Sequence, residues 1–419
     1  MARDEAERVL LRFDQARLGA AVRTALGPVA LAVYGLSQYL GTNPYGYGGL
    51  LWLALAGAGV AAILVVRRRI TTTQFMAVEV LASCLIADWQ NSTSDPLRDL
   101  ILYLHAGSQF LAGAPVYTTV PLDHYPHPGY LPFMYAPPTV PIFAALSTLP
   151  FWLVGTVWVA LSVAAVIWSL RQFGLPWSWA VVALLWTPIE QGLFVGNVVL
   201  MSLLLLSLAP RLGGILGLGP LLKPQNGILW LWLVRQRKWR SIAVSIAVAL
   251  GVVAVTLPLT GVGLWVEWVK GLVTYQQSQQ LLPGLYGSGL GRWLPTPVFV
   301  PLAAAVIAVA LIPRGRKGLA RLALASVVAS PSLWSHGFVF VVPEFLRLRG
   351  QWFWFAVALT VGRWPGPQMA VGLVVAGWFV GPLIHRLTER WLPQVATAPA
   401  THPLGRRAVE VAAAPPPRP

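Results

Sequence analysis

The chain has 419 residues, of which 56% are hydrophobic and only 11% are charged, and its mean hydropathy is +0.66. Soluble globular domains carry about 25% charged residues, so this composition excludes an ordinary soluble protein. The net charge of +16 does not predict nucleic-acid binding, because the basic residues lie in gaps between apolar segments rather than together on one polar domain.

Residues 1–25 form a charged amphipathic segment, too long before the first apolar run for a cleaved signal peptide, and we expect a cytoplasmic helix there. Apolar runs then recur to residue 383, many of them near the roughly 20 residues that cross a bilayer. They do not alternate in polarity, as transmembrane β-strands do. We therefore predict an all-α polytopic membrane protein with a multi-span domain over residues 26–385.

The apolar runs define the candidate spans. They are 26–42, 49–66, 72–89, 150–169, 176–189, 193–210, 213–222, 226–234, 241–259, 297–313, 319–334, 337–346, 351–363 and 367–383. Several are too short for a straight crossing, so we expect re-entrant or half-buried helices among them. Residues 386–419 are rich in Pro and Ala and are predicted to form a disordered cytoplasmic tail.

Clusters of Lys and Arg occupy alternate gaps between these spans. Examples are the arginines at 67–69, Arg211, the cluster at 235–240 and the cluster at 314–317. The positive-inside rule places all of these gaps, and both termini, in the cytoplasm. The sequence therefore predicts a multi-pass protein of the plasma membrane.

Two long segments, about 90–149 and 260–296, fall on the opposite, external side. Both contain amphipathic stretches rich in aromatic residues, and Trp265, Trp268 and Tyr275 have the spacing of one helical face. We predict juxtamembrane helices on the outer leaflet that together roof a cavity between the spans.

Three acids, Asp88, Asp95 and Asp99, lie where a span meets the first external segment, and position alone does not choose among them. Asp99 is either a solvated helix end or N-cap of a helix beginning at Leu100, or a general base for an attacking sugar hydroxyl. Glu79 lies in mid-span, where an ionisable residue marks a functional site or pairs with a neighbouring helix.

Other polar residues lie at the external ends of spans. Lys223, before Pro224, is either a plain loop residue or a cation for a phosphate or pyrophosphate. His336 is either an interfacial residue or a hydrogen-bond partner for a phosphate or a sugar hydroxyl. The amides of Gln191 and Asn197 either bind sugar hydroxyls or pair helices.

The sequence offers little for a metal ion or a nucleotide. Cys84 is the only cysteine and lies in an apolar run, which excludes a disulfide framework and a cysteine metal site. No HExxH motif, DxD pair or i, i+4 pair of histidines occurs, and Pro96 separates Asp95 from Asp99. No Walker or GxGxxG motif follows a strand. We expect no metal and no cofactor.

A series of short motifs occurs in an order known from one family of membrane enzymes. The motifs are Asp99–Tyr103, Gly113–Tyr117, Tyr135–Pro137, Lys223–Pro224 and the set Ser330, Pro331, Trp334 and His336. Over residues 95–345 this order resembles glycosyltransferase family 87. These are GT-C-fold enzymes that include polyprenol-phosphate-mannose-dependent mannosyltransferases and related arabinofuranosyltransferases.

One motif departs from that family. Where the family usually has Gly-Gln-x-Asn, this chain has Gly196-Asn197-Val198-Val199. Asn197 therefore occupies the glutamine place, and Val199 occupies the asparagine place.

The resemblance implies a GT-C-like helix bundle with an external active site. It assigns Asp99 as the base of a single inverting displacement and implies a donor phosphate near Lys223 and His336. The further candidates for donor phosphate or sugar binding are Tyr103, Tyr117, Tyr135, Asn197 and Gln191. The implied donor is a polyprenyl-phosphate-linked mannose or pentofuranose, and the implied acceptor is a glycolipid or glycan, with membrane lipids as further partners.

A lipid-linked glycan flippase or transporter without transferase activity is the alternative. Such transporters usually contain inverted repeats with paired broken helices, and no repeat is visible in this sequence. An inactive membrane scaffold is a third hypothesis, but a scaffold does not need an acid, a Lys-Pro and a histidine on one side. The sequence therefore favours the transferase.

Overall fold

The structure, a computed structural model, describes residues 96–124, 131–287, 289–348, 350–361 and 366–391, together with isolated positions between 71 and 80. The predicted segment 1–25, the first two candidate spans and nearly all of the third lie outside these residues. The same holds for Glu79, Cys84, Asp88 and Asp95, and for the tail beyond Trp391.

The described part of the chain is helical and contains no strand, which confirms the predicted all-α class. The α-helices are α1 (Arg98–Leu111), α2 (Val140–Ser147), α3 (Phe151–Phe173), α4 (Trp177–Val182), α5 (Thr187–Phe194), α6 (Val199–Leu208), α7 (Gly219–Leu222), α8 (Trp230–Arg235), α9 (Trp239–Leu281), α10 (Thr296–Ala310), α11 (Gly315–Val328), α12 (Val342–Phe345), α13 (Gln351–Val361) and α14 (Gly366–Trp391). Helix α14 continues past residue 386, where the sequence predicts the start of a disordered tail.

Helices α3 and α9 are long and apolar enough to cross a membrane. The most apolar part of α9 has a mean hydropathy of 2.5, yet only 6% of it is buried inside the protein. A core helix of a soluble protein would bury such an apolar surface, so its exposure indicates contact with lipid. The protein is therefore a helical membrane protein.

Helix α9 joins the predicted span 241–259 to a helix in the second external segment. Gly261, at φ 64° and ψ 165°, interrupts the helical backbone shortly after Pro258. Proline removes a hydrogen-bond donor and glycine adopts this conformation without steric cost, so the two residues produce the kink. The part of α9 beyond the kink carries Trp268 and Tyr275 and confirms the helix predicted there.

The candidate span over residues 176–189 is not one continuous helix. Helix α4 ends at Val182, Trp186 is extended with ψ 122°, and α5 begins at Thr187. Pro188 lies in the first turn of α5, where its missing N–H is tolerated, but a proline cannot continue a preceding helix.

The shorter apolar segments form irregular helical turns, as expected of segments too short to cross straight. Residues 213–222 and 226–234 contain 3-10 turns followed by the short helices α7 and α8. The segment 337–346 is mostly a 3-10 turn followed by the four-residue helix α12. Lys223 directly precedes one of these turns, and His336 lies within another.

Helices α1 and α2 pack closely in the first external segment. The absence of a side chain at Gly107 allows this approach, because a Cβ at this position would lie 2.4 Å from the backbone carbonyl of Phe143. The rings of Tyr103 and Phe143 lie 4.9 Å apart between centroids, in an apolar cluster with Phe133 and Trp158. The inner face of α1 is therefore held in the core.

The chain divides into two compact units, Met1–Gly372 and Leu373–Pro419. Both cavities discussed below lie in the first unit. The described part of the second unit is the C-terminal portion of α14.

The substitution Gly107→Ala tests the contact between α1 and α2. We expect it to lower the free energy of unfolding by about 1–3 kcal/mol, because the added methyl group meets backbone atoms that cannot move aside. Gly263→Ala is the matched control, since its Cβ would meet nothing within 4 Å. Thermal unfolding in detergent measures both variants, and equal melting temperatures would contradict the packing argument.

Candidate active site

A cavity of about 600 Å³ lies between α1, the part of α9 beyond its kink, α10 and the loops before α2, α6, α8 and α12. Its volume falls within the usual range of ligand sites. Its polar lining residues include Arg98, Asp99, Tyr103, Tyr135, Asn197, Lys223, Tyr275, Gln276, Gln279, Trp334 and His336. The apolar part of the wall includes Leu272, Leu294, Phe299 and Val300.

Asp99 is the second residue of α1 and is only 6% exposed. The N-cap is Leu97, which makes no side-chain cap hydrogen bond. The N–H of Leu97 donates to the carbonyl of Phe194 at 2.7 Å, and that of Asp99 donates to the carbonyl of Val195 at 2.8 Å. Backbone carbonyls thus satisfy the helix start, so the interpretation of Asp99 as a solvated end or an N-cap is wrong.

Gly196 allows the helix start to lie against this segment. It adopts φ +70°, and a Cβ there would lie 3.0 Å from the Cβ of Leu100. The indole of Trp158 donates to its carbonyl oxygen at 2.9 Å. A glycine is therefore required both for the backbone conformation and for the close approach to α1.

The side chain of Asp99 accepts a hydrogen bond on each oxygen. The guanidinium of Arg98 donates to Oδ1 at 3.0 Å, and the amide of Asn197 donates to Oδ2 at 2.5 Å. Asn197 is 4% exposed, and its own Oδ1 accepts the N–H of Val199 at 2.9 Å. That second bond fixes the orientation of the amide, so its N–H group faces the carboxylate.

Three tyrosines lie together beside Asp99. The hydroxyls of Tyr103 and Tyr135 are 2.7 Å apart, and both residues line the cavity. Tyr117 lies outside the lining, and its hydroxyl donates to the carbonyl of Tyr135 at 2.8 Å. Burial, and then the charge of Asp99, raises the pKa of Tyr135, so this phenol stays protonated at neutral pH.

Lys223 lies between α7 and the next turn with an extended backbone. Its carbonyl accepts the N–H of Asn226 at 2.9 Å, and the amide of Asn226 donates to Ser202 at 3.1 Å. The ammonium group makes no hydrogen bond or ion pair with the residues that the structure describes. Burial lowers the pKa of Lys223 to about 8, while the charge of Asp99 acts in the opposite direction.

His336 is 4% exposed at the start of the turn before α12. Burial, and then the charge of Lys223, lowers the pKa of His336 to about 3. Its imidazole is therefore neutral at physiological pH and provides one N–H donor and one acceptor.

The loop that precedes His336 is held by close glycine packing. The carbonyl of Pro331 lies against Gly289, where a Cβ would approach it to 2.0 Å, and the hydroxyl of Ser332 donates to the carbonyl of Leu285 at 3.0 Å. The guanidinium of Arg98 lies 5.9 Å from the ring of Trp334, which connects this loop to α1.

Gln191 is half-buried on α5 and does not line the cavity. Of the eight candidate residues, the structure thus brings Asp99, Tyr103, Tyr135, Asn197, Lys223 and His336 into the cavity lining, whereas Tyr117 and Gln191 lie outside it. No group of three or more His, Cys, Asp or Glu residues that could hold a metal ion occurs within the described ranges.

Sequence reasoning missed Arg98 and the polar face of α9. Tyr275, Gln276 and Gln279 line the cavity together with Leu272. The spacing of these four residues is that of one helical face. The sequence YQQSQQ therefore already indicated a polar face on this helix. The indole of Trp268 donates to the carbonyl of Met134 at 3.1 Å and holds this helix over the cavity.

Comparison with known proteins supports the resemblance. The model of glycosyltransferase family 87 matches residues 133–335, a little under half of the chain. The match supports a glycosyltransferase, and it favours the transferase over the transporter among the hypotheses. No curated protein and no solved structure matched the chain.

The matched region includes Tyr135, Asn197 and Lys223 and ends one residue before His336. Asp99 lies upstream of it. The structure nevertheless brings Asp99 against Asn197, inside the matched region, so the cavity is built from both parts of the chain.

A double-mutant cycle tests the hydrogen bond between Asn197 and Asp99. We expect Asn197→Ala and Asp99→Ala to show a coupling of about 1.5–3 kcal/mol in unfolding free energy, as for hydrogen bonds to charged groups. Gln191→Ala paired with Asp99→Ala is the control and should show none. A coupling below about 0.5 kcal/mol for the first pair would contradict the observed geometry.

Proposed function

We propose that this enzyme transfers a sugar from a polyprenyl-phosphate donor to an acceptor hydroxyl at the external membrane face, with inversion. Mannose or a pentofuranose is the sugar, and a glycolipid or glycan is the acceptor. The proposal rests on one observation. Asp99, Lys223 and His336 line the same cavity, although they come from three distant parts of the chain.

The charges in the cavity suit a phosphorylated donor. Lys223 is a cation without an ion-pair partner among the described residues, and an isolated buried ammonium is costly unless an anion joins it. Lys223 and His336 line the same cavity, and the charge of Lys223 contributes to the lowered pKa of His336. A donor phosphate beside them would neutralise Lys223 and accept a hydrogen bond from the neutral imidazole.

The apolar part of the cavity suits a donor with a lipid chain. Phe299 and Val300 belong to α10, and Val300 is exposed, as are Val298 and Leu302 on the same helix. The apolar wall therefore continues onto a helix surface suited to lipid. A polyprenyl chain would lie along this surface, with its phosphate at Lys223 and His336.

The reaction we propose is a single displacement. The carboxylate of Asp99 accepts the proton of the acceptor hydroxyl, whose oxygen forms a bond to the anomeric carbon of the donor sugar. The bond between that carbon and the phosphate oxygen breaks, and its electron pair leaves with polyprenyl phosphate. Lys223 and the N–H of His336 stabilise the charge that develops on the departing phosphate.

The partners of Asp99 support the role of a base. Arg98 and Asn197 each occupy one carboxylate oxygen, and each oxygen retains a further lone pair for the incoming proton. Because the two partners donate to different oxygens, they hold the carboxylate in one orientation.

The substitution Asp99→Asn tests the base. We expect the rate of sugar transfer from a labelled polyprenyl-phosphate sugar to fall about 10²–10⁴-fold, because the amide cannot accept the proton. Asp123→Asn is the matched control, as its side chain is 87% exposed on the same external segment. Activity retained in Asp99→Asn would exclude the base role, and transfer from a nucleotide sugar instead would exclude the donor class.

The pH dependence of kcat/KM tests the phosphate contact. Lys223 is charged below its pKa of about 8, so kcat/KM should fall tenfold per pH unit as the pH rises well above 8. Lys223→Arg should remove this decline, because a guanidinium stays charged throughout. Lys223→Gln should lower the rate about 10²–10³-fold at pH 7. A decline that persists in Lys223→Arg would show that another group titrates.

A further inference from the structure

A second cavity, of about 440 Å³, lies apart from the active site and shares no lining residue with it. It is formed by the end of α3, the end of α6 with the turn after it, the first half of α11 and the residues around the end of α12. The gaps that these segments border are among those that the positive-inside rule places in the cytoplasm.

Arginine dominates the polar lining of this cavity. Arg211, Arg316 and Arg347 line it, and none of its described lining residues is acidic. Arg347 lies 3.4 Å from Glu344, which is also 3.6 Å from Arg321. Two cations thus share one carboxylate, so the surroundings of the cavity remain positive.

Arg211 and Arg316 form no hydrogen bond or ion pair within the part of the chain that the structure describes. Other basic residues in these gaps are engaged in the fold. Arg171 and Arg235 donate to backbone carbonyls at chain turns, and Lys238 lies 4.6 Å from the centre of an indole ring. The two cavity arginines are therefore available to a ligand, whereas these neighbours stabilise loops.

The remainder of the wall is apolar. Phe173, Leu206, Leu319 and Leu346 line the cavity, and the exposed Leu212 directly follows Arg211. A ligand that fits must therefore offer an anionic group to the arginines and apolar groups to the wall. A phospholipid at the edge of a bilayer combines both.

We propose that this arginine cavity binds the phosphate headgroup of an anionic phospholipid of the cytoplasmic leaflet. The planar guanidinium groups match the geometry of phosphate oxygens and bind them in bidentate pairs. Basic pockets between membrane helices on the cytoplasmic side bind anionic headgroups by this chemistry. The bound lipid connects the ends of α3, α6 and α11 and so stabilises the bundle.

The test compares lipids that differ only in headgroup charge. The full-length protein in neutral detergent is titrated with phosphatidylglycerol and with phosphatidylcholine of the same acyl chains, and its melting temperature and native mass spectrum are recorded. We expect phosphatidylglycerol to raise the melting temperature and to stay bound, because a ligand of the folded state stabilises it. An equal effect of phosphatidylcholine would overturn the proposal.

Variants locate the site. We expect Arg211→Gln/Arg316→Gln to weaken phosphatidylglycerol binding at least tenfold, and Arg211→Lys/Arg316→Lys, which keeps the charge, to weaken it less. Arg314→Gln/Lys317→Gln is the matched control, because it removes the same charge from exposed residues that flank Arg316 in the same gap but do not line the cavity. Equal loss in this control would show diffuse attraction and overturn the proposal.

Two further measurements complete the test. Stabilisation by millimolar inorganic phosphate equal to that by the lipid would identify a free-phosphate site and overturn the choice of a phospholipid. Sugar transfer in detergent should be unchanged in Arg211→Gln/Arg316→Gln, since these residues lie outside the active-site cavity. Lipid binding is measured without the sugar donor, so its outcome is independent of the proposed transfer reaction.

Discussion

The docking of the first residues of α1 on the segment 194–197 is the interaction on which the active-site cavity depends. That segment supplies two backbone carbonyls to the helix start and the amide of Asn197 to the carboxylate of Asp99. The backbone and the side chain of Asp99 are thus held by the same short stretch. A shift of that stretch would move the acid and the cavity wall together, which keeps the geometry of the carboxylate constant.

This docking fixes the position of the negative charge of Asp99 in the cavity. Asp99 is buried with two donors, and Lys223 is half-buried in the same cavity without a direct partner among the described residues. Withdrawing an unpaired cation from water costs free energy, which an anionic ligand would offset. The match to the model of glycosyltransferase family 87 supports the class of reaction, and the proposed mechanism uses Lys223 to bind the anionic group of the donor. Three arginines line the second cavity, which shares no lining residue with the active-site cavity. The cavity that contains Asp99 is therefore separate from a cavity whose charged lining residues are all basic.

The helical class, most helix positions and the same-side grouping of polar residues followed from composition and from the placement of Lys and Arg. These signals are local, because hydropathy and charge are read along the chain. They did not reveal the helix break within 176–189, because a hydropathy average includes Pro188 without detecting that a new helix starts there. The choice of Asp99 came from the order of short motifs, and position alone left it open between an N-cap and a base.

The tertiary structure alone decided how those residues are arranged. The contact between Asp99 and Asn197 joins positions 98 residues apart, so no periodicity could reveal that Asn197 holds the acid. The same holds for Arg98 beside Trp334 and for the placement of Gln191 outside the cavity. The sequence by itself determined the class of a helical membrane protein, and it predicted an acid, a lysine and a histidine on one side of the membrane. Their meeting in one cavity was decided by packing between distant segments, because hydrogen bonds and close glycine contacts depend on three-dimensional approach rather than on local pattern.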